Sequence, residues 1–212
     1  MTMAFVSNLS DCTIDAVTRA TRLRGDNSKL TVLAASVRCS TGVYNCLCVM
    51  NGTFPIDSDD VCTVRVHSGC VTGEIFNSER CDCSWQLKRS LEMVEHDSPS
   101  ILVYLPEHEG RGHGVFSKVA SFHLMDEGMT TFDAFTHMGL DTERRDFSPA
   151  FATLRYLGVH QMRVITNNPA KIAIAEEYGF CVVERLPCVI PSGSPELLAY
   201  LRSKRDQFGH LL

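Results

Sequence analysis

The clearest periodic signal begins at Lys29. KLTVLAASVR (29–38) and VYNCLCVM (43–50) are rich in β-forming residues and partly alternate, and VCTVRVH (61–67) does so again. Each predicts a strand. The period then changes. Trp85, Leu87, Leu91 and Val94 recur at helical spacing between Ser84 and His96, with Ser84 placed to cap the helix. SILVYL (100–105) is short and apolar and predicts a buried strand, and EHEGRGHGVFSK (107–118) reads as a glycine-rich loop leading into a helix. Between 131 and 158 the pattern predicts a short helix, the loop DTERRDF, and a second helix from Ser148 to about Leu157. QMRVIT reads as a strand, and NNPAK starts a helix with Pro169 at its first position. A last strand is expected over 181–190 and a final helix from about Ser194 to Phe208. Near the other end, Ser10 and Asp11 precede a run that predicts a capped helix to about Leu23, ended by Gly25. Strands alternating with helices across 100–190 indicate an α/β class. The expected organisation is an N-terminal helical extension over 1–28 and one domain over 29–212.

At 212 residues and 44% hydrophobic content, the chain suits one good-sized core or two small ones. Its net charge of −5 argues against nucleic-acid binding, so a polyanionic ligand would need a local cluster of basic groups. No apolar run approaches the ~20 residues of a membrane span. The first residues lack a basic segment followed by an apolar one, so no secretory signal is read. These features predict a cytoplasmic, reduced protein. Its ten cysteines then point to metal binding or catalysis rather than to disulfides.

The most informative stretch is RVHSGCVTGEIFNSERCDCSWQ (65–86), which carries Cys70, Cys81 and Cys83 in a C-x10-C-x-C arrangement. Three thiolates can close on one zinc ion and leave its fourth position to water. Three buried cysteines would be the plain alternative. The polar character of the stretch, and Asp82 between two of the cysteines, weigh against it. Cys83 also falls near a helix N-terminus, where the dipole favours thiolate. Arg65, His67, Ser68, Thr72, Ser78 and Arg80 add groups that bind phosphate or polarise a reacting atom. Cys46 and Cys48, two apart on one strand face, are expected in the core. In the glycine-rich loop, Gly110, Gly112 and Gly114 let backbone approach a ligand, while Arg111 and Lys118 add charge. Lys171, near a helix start, is another phosphate contact by position. No G-x-x-x-x-G-K-[ST] motif is present. Glu109 heads the glycine loop and is the first candidate for proton transfer, with His67 and His113 as alternatives.

These motifs, together with DEGMTTFDA (126–134), ERRDF (143–147), LGVHQMRVITNNPAK (157–171) and the closing GHLL, resemble the GTP cyclohydrolase II family, which opens the imidazole ring of GTP on the way to riboflavin. The resemblance runs from about residue 61 to the C-terminus. It implies an α/β fold, a mixed sheet with flanking helices, in a homodimer. It implies one zinc per subunit on Cys70, Cys81 and Cys83, and Mg²⁺ accompanying the GTP phosphates. It implies substrate contacts at Arg65, Val66, His67, Ser68, Gln86, Glu109, Gly110, Arg111, Thr131, Thr166 and Lys171. Glu143 falls where the family has its proton-accepting aspartate. Arg145 falls on the arginine assigned to the α-phosphate, for which a fixed bidentate donor is the chemically sound role, since guanidinium hardly deprotonates.

Three positions depart from the family pattern. A tyrosine is replaced by Phe122, an aspartate by Glu143, and a glutamate usual in the metal stretch by Gly69. They suggest a specialised relative in which zinc binding and attack at C8 survive. The expected product is the diaminopyrimidine ribosyl phosphate plus formate or, where loss of the tyrosine hydroxyl impairs the second hydrolysis, the formamidopyrimidine that keeps the formyl group. A zinc- and nucleotide-binding protein without turnover, or a related purine nucleotide as substrate, are the alternatives.

Overall fold

A computed structural model describes residues 11–25 and 28–212. Its centre is an eight-stranded mixed sheet, and the fold is α/β as expected. β3 (Thr31–Cys39) and β4 (Gly42–Asn51) form a hairpin in which Cys39 pairs with Gly42 across a two-residue turn. β1 (Thr13–Val17) and β2 (Thr21–Arg22) pair antiparallel with β3. β5 (Val61–Ser68), β6 (Ser100–Leu105), β7 (Gln161–Ile165) and β8 (Cys181–Leu186) make the parallel half. The order along the sheet is β1-β3-β4-β6-β5-β7-β8, and β4 meets β6 antiparallel.

Helices cover both faces. α1 (Val71–Glu74) and α2 (Cys83–His96) connect β5 to β6. A 3₁₀ segment (Pro106–Gly112), α3 (Gly114–Asp126), α4 (Thr131–His137) and α5 (Ser148–Tyr156) lead on to β7. α6 (Pro169–Glu177) joins β7 to β8, and α7 (Pro195–Phe208) ends the chain. The larger core lies under α5 and holds Phe151 and Leu154 together with Cys62, Val64 and Val66 of β5. The smaller core, Leu30, Val49, Val94 and Leu102, lies under α2. The two-residue period of β5 therefore sends Cys62, Val64 and Val66 to one face and Arg65 and His67 to the other. Cys46 and Cys48 are buried, as expected, and burial pushes both thiols up, Cys46 to about 12.

β5 has β6 on one side and β7 on the other, so the strand order reverses there. In open α/β sheets, ligands bind beyond the carboxyl ends of the strands at such a point. The residues just past those ends are Gly69 and Cys70, the Pro106–Gly112 turn, and Thr166.

Four local expectations are corrected. The described part of the predicted 10–23 helix is strand instead: Thr13, Ile14, Val17, Thr18 and Thr21 are β-branched, and pairing with β3 outweighs a weak helical pattern. The same pairing places Cys12 beside Cys39, and the two form a disulfide where none was expected. α2 begins at Cys83, so its N-cap position falls on Asp82 rather than Ser84, and the Asp82 side chain makes no capping hydrogen bond. The last strand stops at Leu186, before Pro187. Residues 1–10 lie outside the described residues.

Candidate active site

The end of β5 and the start of α2 bring Cys70, Cys81 and Cys83 together, with their sulfurs within 4.8 Å of one another. Cys70 Sγ and Cys81 Sγ are 3.8 Å apart. Zinc–sulfur bonds of about 2.3 Å at tetrahedral angles place sulfurs about 3.8 Å apart, so the triplet fits a zinc ion. The backbone is cut to the same shape. A Cβ on Gly73 would lie 2.7 Å from Cys81 Sγ and 3.4 Å from Cys70 Sγ. The three thiols share negative charge: Cys70 is held low by hydrogen bonds from Cys81 and Cys83, whose own thiols are pushed up in return.

Behind the sulfurs lies a buried polar frame. Glu74 accepts from the Cys70 N–H at 3.0 Å, from Tyr104 Oη at 2.6 Å and from His67 Nε2 at 2.9 Å. Arg65 can only donate, so His67 Nδ1, 3.2 Å from its Nη2, is an acceptor. His67 is thus neutral with both nitrogens engaged, and burial followed by the Arg65 charge holds its pKa well below the ordinary value. Burial raises Glu74 to about 7. Gln86 on α2 accepts from Arg65 at 2.6 Å and donates to Asp82 Oδ2, which fixes both groups at the cleft.

The glycine turn supplies the facing wall. Glu109 accepts from the backbone N–H groups of Val71 and Gly110, and burial raises its pKa. Arg111 adopts φ +58°, a left-handed conformation rare for a long side chain. Its guanidinium lies 3.8 Å from the centre of the Phe132 ring and donates to Thr142 O at 2.9 Å. Gly112, at φ +87°, lets the 143–146 loop close on this turn, because a Cβ there would meet Arg144 O at 3.0 Å. That loop is not a solvated charge run. Arg145 chelates Glu143 and reaches Ser68 Oγ at 3.4 Å. His108 Nε2 donates to Asp146 O at 2.9 Å while Nδ1 faces Ser68 Oγ at 3.1 Å, and burial lowers its pKa to about 3.

These walls enclose an open cleft of about 150 Å³. Arg65, His67, Ser68, Gln86, Glu109, Gly110, Arg111, Thr131, Glu143, Arg145, Thr166 and Lys171 all line it, beside Cys70 and Cys83. Val66 takes part through its carbonyl, which accepts from Lys171 Nζ at 2.8 Å. Burial, then the charges of Arg65 and Arg145, push Lys171 well below the usual lysine range. Several named residues stand apart: Thr72, Ser78 and Arg80 are not among the lining residues, nor are His113 and Phe122. His113 is bonded to Asp141 O and does not line the cleft. Phe122 lies outside it, with Arg80 4.9 Å and Lys118 5.7 Å from its ring centre. The sequence reading missed Asp82, Asn167, Tyr200, Lys204, Phe208 and His210, which also line the cleft. The spacing of Tyr200, Lys204 and Phe208 on α7, four apart, was the available signal: one helical stripe.

A family model described as GTP cyclohydrolase II matches residues 39–187. The riboflavin biosynthesis protein RibBA of Cytophaga hutchinsonii is 39% identical over 180 residues, 85% of this chain and 43% of that protein. The RibBA protein of Nocardia farcinica is 44% identical over 154 residues, 73% of this chain and 37% of its own. That of Aquifex aeolicus is 42% identical over 153 residues, 72% of this chain and 37% of its own. The chain thus spans well under half the length of these relatives.

Proposed function

The chain belongs to the GTP cyclohydrolase II family, and on that premise we propose that it is a hydrolase that opens the imidazole ring of GTP at C8 and releases pyrophosphate. One observation carries the reading: of three convergent sulfurs, those of Cys70 and Cys83 belong to residues that line the same cleft as Arg65, Arg111, Arg145 and Lys171. Cys70, Cys81 and Cys83 would hold the zinc. Bound there, zinc supplies the Lewis acidity that makes a water nucleophilic near neutral pH.

The remaining work falls to the chain's own groups. Arg145, aimed by Glu143, is a fixed donor for the α-phosphate. Arg111 and Lys171 would grip the outer phosphates, and Mg²⁺ accompanying the nucleotide would offset their charge. Ser68, Gln86, Thr131 and Thr166 orient the nucleotide, with Gln86 also fixing Arg65. Glu109 sits beside the Cys70 loop with its pKa raised, which suits it to move a proton at the opening ring. Glu143 is already committed to Arg145, which favours Glu109 over it as the proton carrier.

Ring opening leaves a formyl group on nitrogen, and a second water removes it as formate. The side chain at 122 lacks a hydroxyl and lies outside the cleft. The reading therefore ends at the formamidopyrimidine ribosyl phosphate, ahead of the diaminopyrimidine. Such a product suits either riboflavin formation or a specialised branch. No helix among the described residues is long and apolar enough to cross a membrane. A cytoplasmic homodimer with one zinc per subunit completes the proposal, the catalytic domain taking in β1 and β2, which pair with β3, as well as residues 29–212.

GTP incubated with the protein, with and without a chelator, tests it. Chelator-sensitive loss of GTP, with pyrophosphate formed, supports the hydrolase. The three departures, at Gly69, Phe122 and Glu143, favour one second reading, a zinc- and nucleotide-binding relative without turnover. GTP bound but never consumed would establish that reading instead.

A further inference from the structure

The matched family region ends at residue 187, and α7 follows it. The helix nevertheless supplies part of the cleft wall through Tyr200 and Lys204. Its apolar stripe, Leu197 and Leu201, is buried, so the neighbouring stripe is fixed in place rather than free on a surface. Two more contacts anchor its end. Phe208 packs on Phe132 with ring centres 4.7 Å apart, and the Leu211 N–H donates to Asn167 O at 3.0 Å.

Lys204 is the unusual member. Its side chain is 16% exposed, and its Nζ lies 4.1 Å from the centre of the Tyr200 ring. The Asp82 carboxylate is its nearest acidic group, yet Nζ to Oδ1 is 3.7 Å, too long for a hydrogen bond, and Oδ1 has no hydrogen-bond partner. The pair is close enough to balance charge and too far apart to use the ammonium's donors. Across the cleft stand Arg145 and Lys171, and Lys204 is among the cations that push Lys171 down. The cleft carries six cationic side chains, Arg65, Arg111, Lys118, Arg145, Lys171 and Lys204, against the carboxylates of Asp82, Glu109 and Glu143. Such crowding of like charge is relieved by a multivalent anion.

We propose that α7 forms the outer wall of a condensed-phosphate subsite, in which Lys204, braced on the Tyr200 ring, donates to a phosphate oxygen. This deepens the GTP reading and rests on it for the identity of the nucleotide, but the subsite itself recognises a phosphate chain. Two bland roles compete: a structural counter-ion for Asp82, or a lysine that merely covers the cleft.

The test is calorimetric binding of two probes, a non-hydrolysable GTP analogue and inorganic tripolyphosphate, with guanosine as the uncharged control. Lys204→Met should weaken both anionic probes about tenfold, as expected on losing one charge-assisted contact, and leave guanosine unchanged. Lys204→Arg should recover most of the loss. The effect should persist in an Asp82→Asn background, where a counter-ion role would have vanished. Lys204→Gln, which keeps a polar stem, serves if the methionine variant does not fold. Equal binding of both anions by wild type and variant overturns the subsite, as does full rescue by Asp82→Asn. If tripolyphosphate binds in a Lys204-dependent manner but the GTP analogue does not bind wild type, the subsite stands and the GTP reading falls.

Discussion

The Arg145 guanidinium takes both oxygens of the Glu143 carboxylate. Nε donates to Oε1 at 2.7 Å, Nη2 reaches Oε2, and the Arg145 backbone N–H adds a third donor at 3.1 Å. Burial alone would raise the carboxyl pKa, but the arginine overrides it and holds Glu143 at about 2.

The sign of the pH effect follows. An unfolded glutamate titrates near about 4.3. The stabilisation is therefore fully present above that value and is lost as pH falls toward 2. Wild type should exceed Glu143→Gln in stability by about 2–3 kcal/mol at pH 7, the equivalent of a two-unit shift. The gap should shrink between about pH 4.3 and 2. Urea melts of both proteins at pH 7, 4 and 3 check it, and curves that stay parallel would dismiss the ion pair as a source of stability.

Metal loading should follow the sulfurs and nothing else. Elemental analysis of carefully purified protein should give about one zinc per chain. Cys81→Ser should retain less than about a tenth of that, because a hydroxyl is a poor replacement for a thiolate ligand. Cys48→Ala should keep all of it, since Cys48 is buried in the core under α5. Chelation should lower the melting temperature of wild type and leave that of Cys81→Ser unmoved. Full zinc content in Cys81→Ser would remove the metal site.

Much of the parallel half was legible from local signals: SILVYL is a short apolar run, α2 keeps a helical period, and Pro169 marks the start of α6. The site was legible wherever chemistry is local in sequence, as in the cysteine triplet and the glycine turn. The expected helix over 10–23 failed because its β-branched residues follow a partner strand that sequence alone does not supply. The frame behind the sulfurs was hidden for a related reason. The β5–β6 register sets Tyr104 beside His67, and Glu74, from α1, hydrogen-bonds both. Lys204 was hidden because a lysine on a terminal helix is usually solvated, and nothing near it in sequence announces Asp82. The cross-strand Cys12–Cys39 pair needed the β1–β3 register as well.

Gly69 is sized by its neighbour. A Cβ at this position would lie 2.8 Å from Tyr104 Oη and 3.1 Å from Leu105 O. Tyr104 cannot simply retreat, because its hydroxyl donates to Glu74. Gly69→Ala should therefore destabilise the protein by about 1–3 kcal/mol, the usual range for overpacking. Tyr104→Phe alone should cost about 1–2 kcal/mol by withdrawing a donor from a buried carboxylate. The double variant should cost less than the sum, since the phenylalanine removes the atom in the way. Denaturant melts of the four proteins close the cycle, and strict additivity would show that the two positions are not coupled.

On the proposed reading the residue at 122 bears on the second hydrolysis, although it lies outside the cleft and reaches it only through Lys118. Its ring faces Lys118, which lines the cleft, and carries the Arg80 guanidinium, itself paired with Asp126 at 2.7 Å. Phe122→Tyr keeps the ring and adds one hydroxyl, so stability should change by no more than about 0.5 kcal/mol, as for most substitutions that neither open a cavity nor bury an unpaired group. The chemistry should change more. Wild type should convert GTP to a product that retains the formyl group, seen by mass spectrometry as one carbonyl heavier than the diaminopyrimidine. The tyrosine variant should release formate in measurable yield, because the new hydroxyl can position a water or donate to the departing nitrogen. Stoichiometric formate from wild type would show that the second hydrolysis needs no hydroxyl at 122. Formate from neither protein, with GTP still consumed, would place the missing function elsewhere, with the lengthened Glu143 as the next residue to exchange for aspartate.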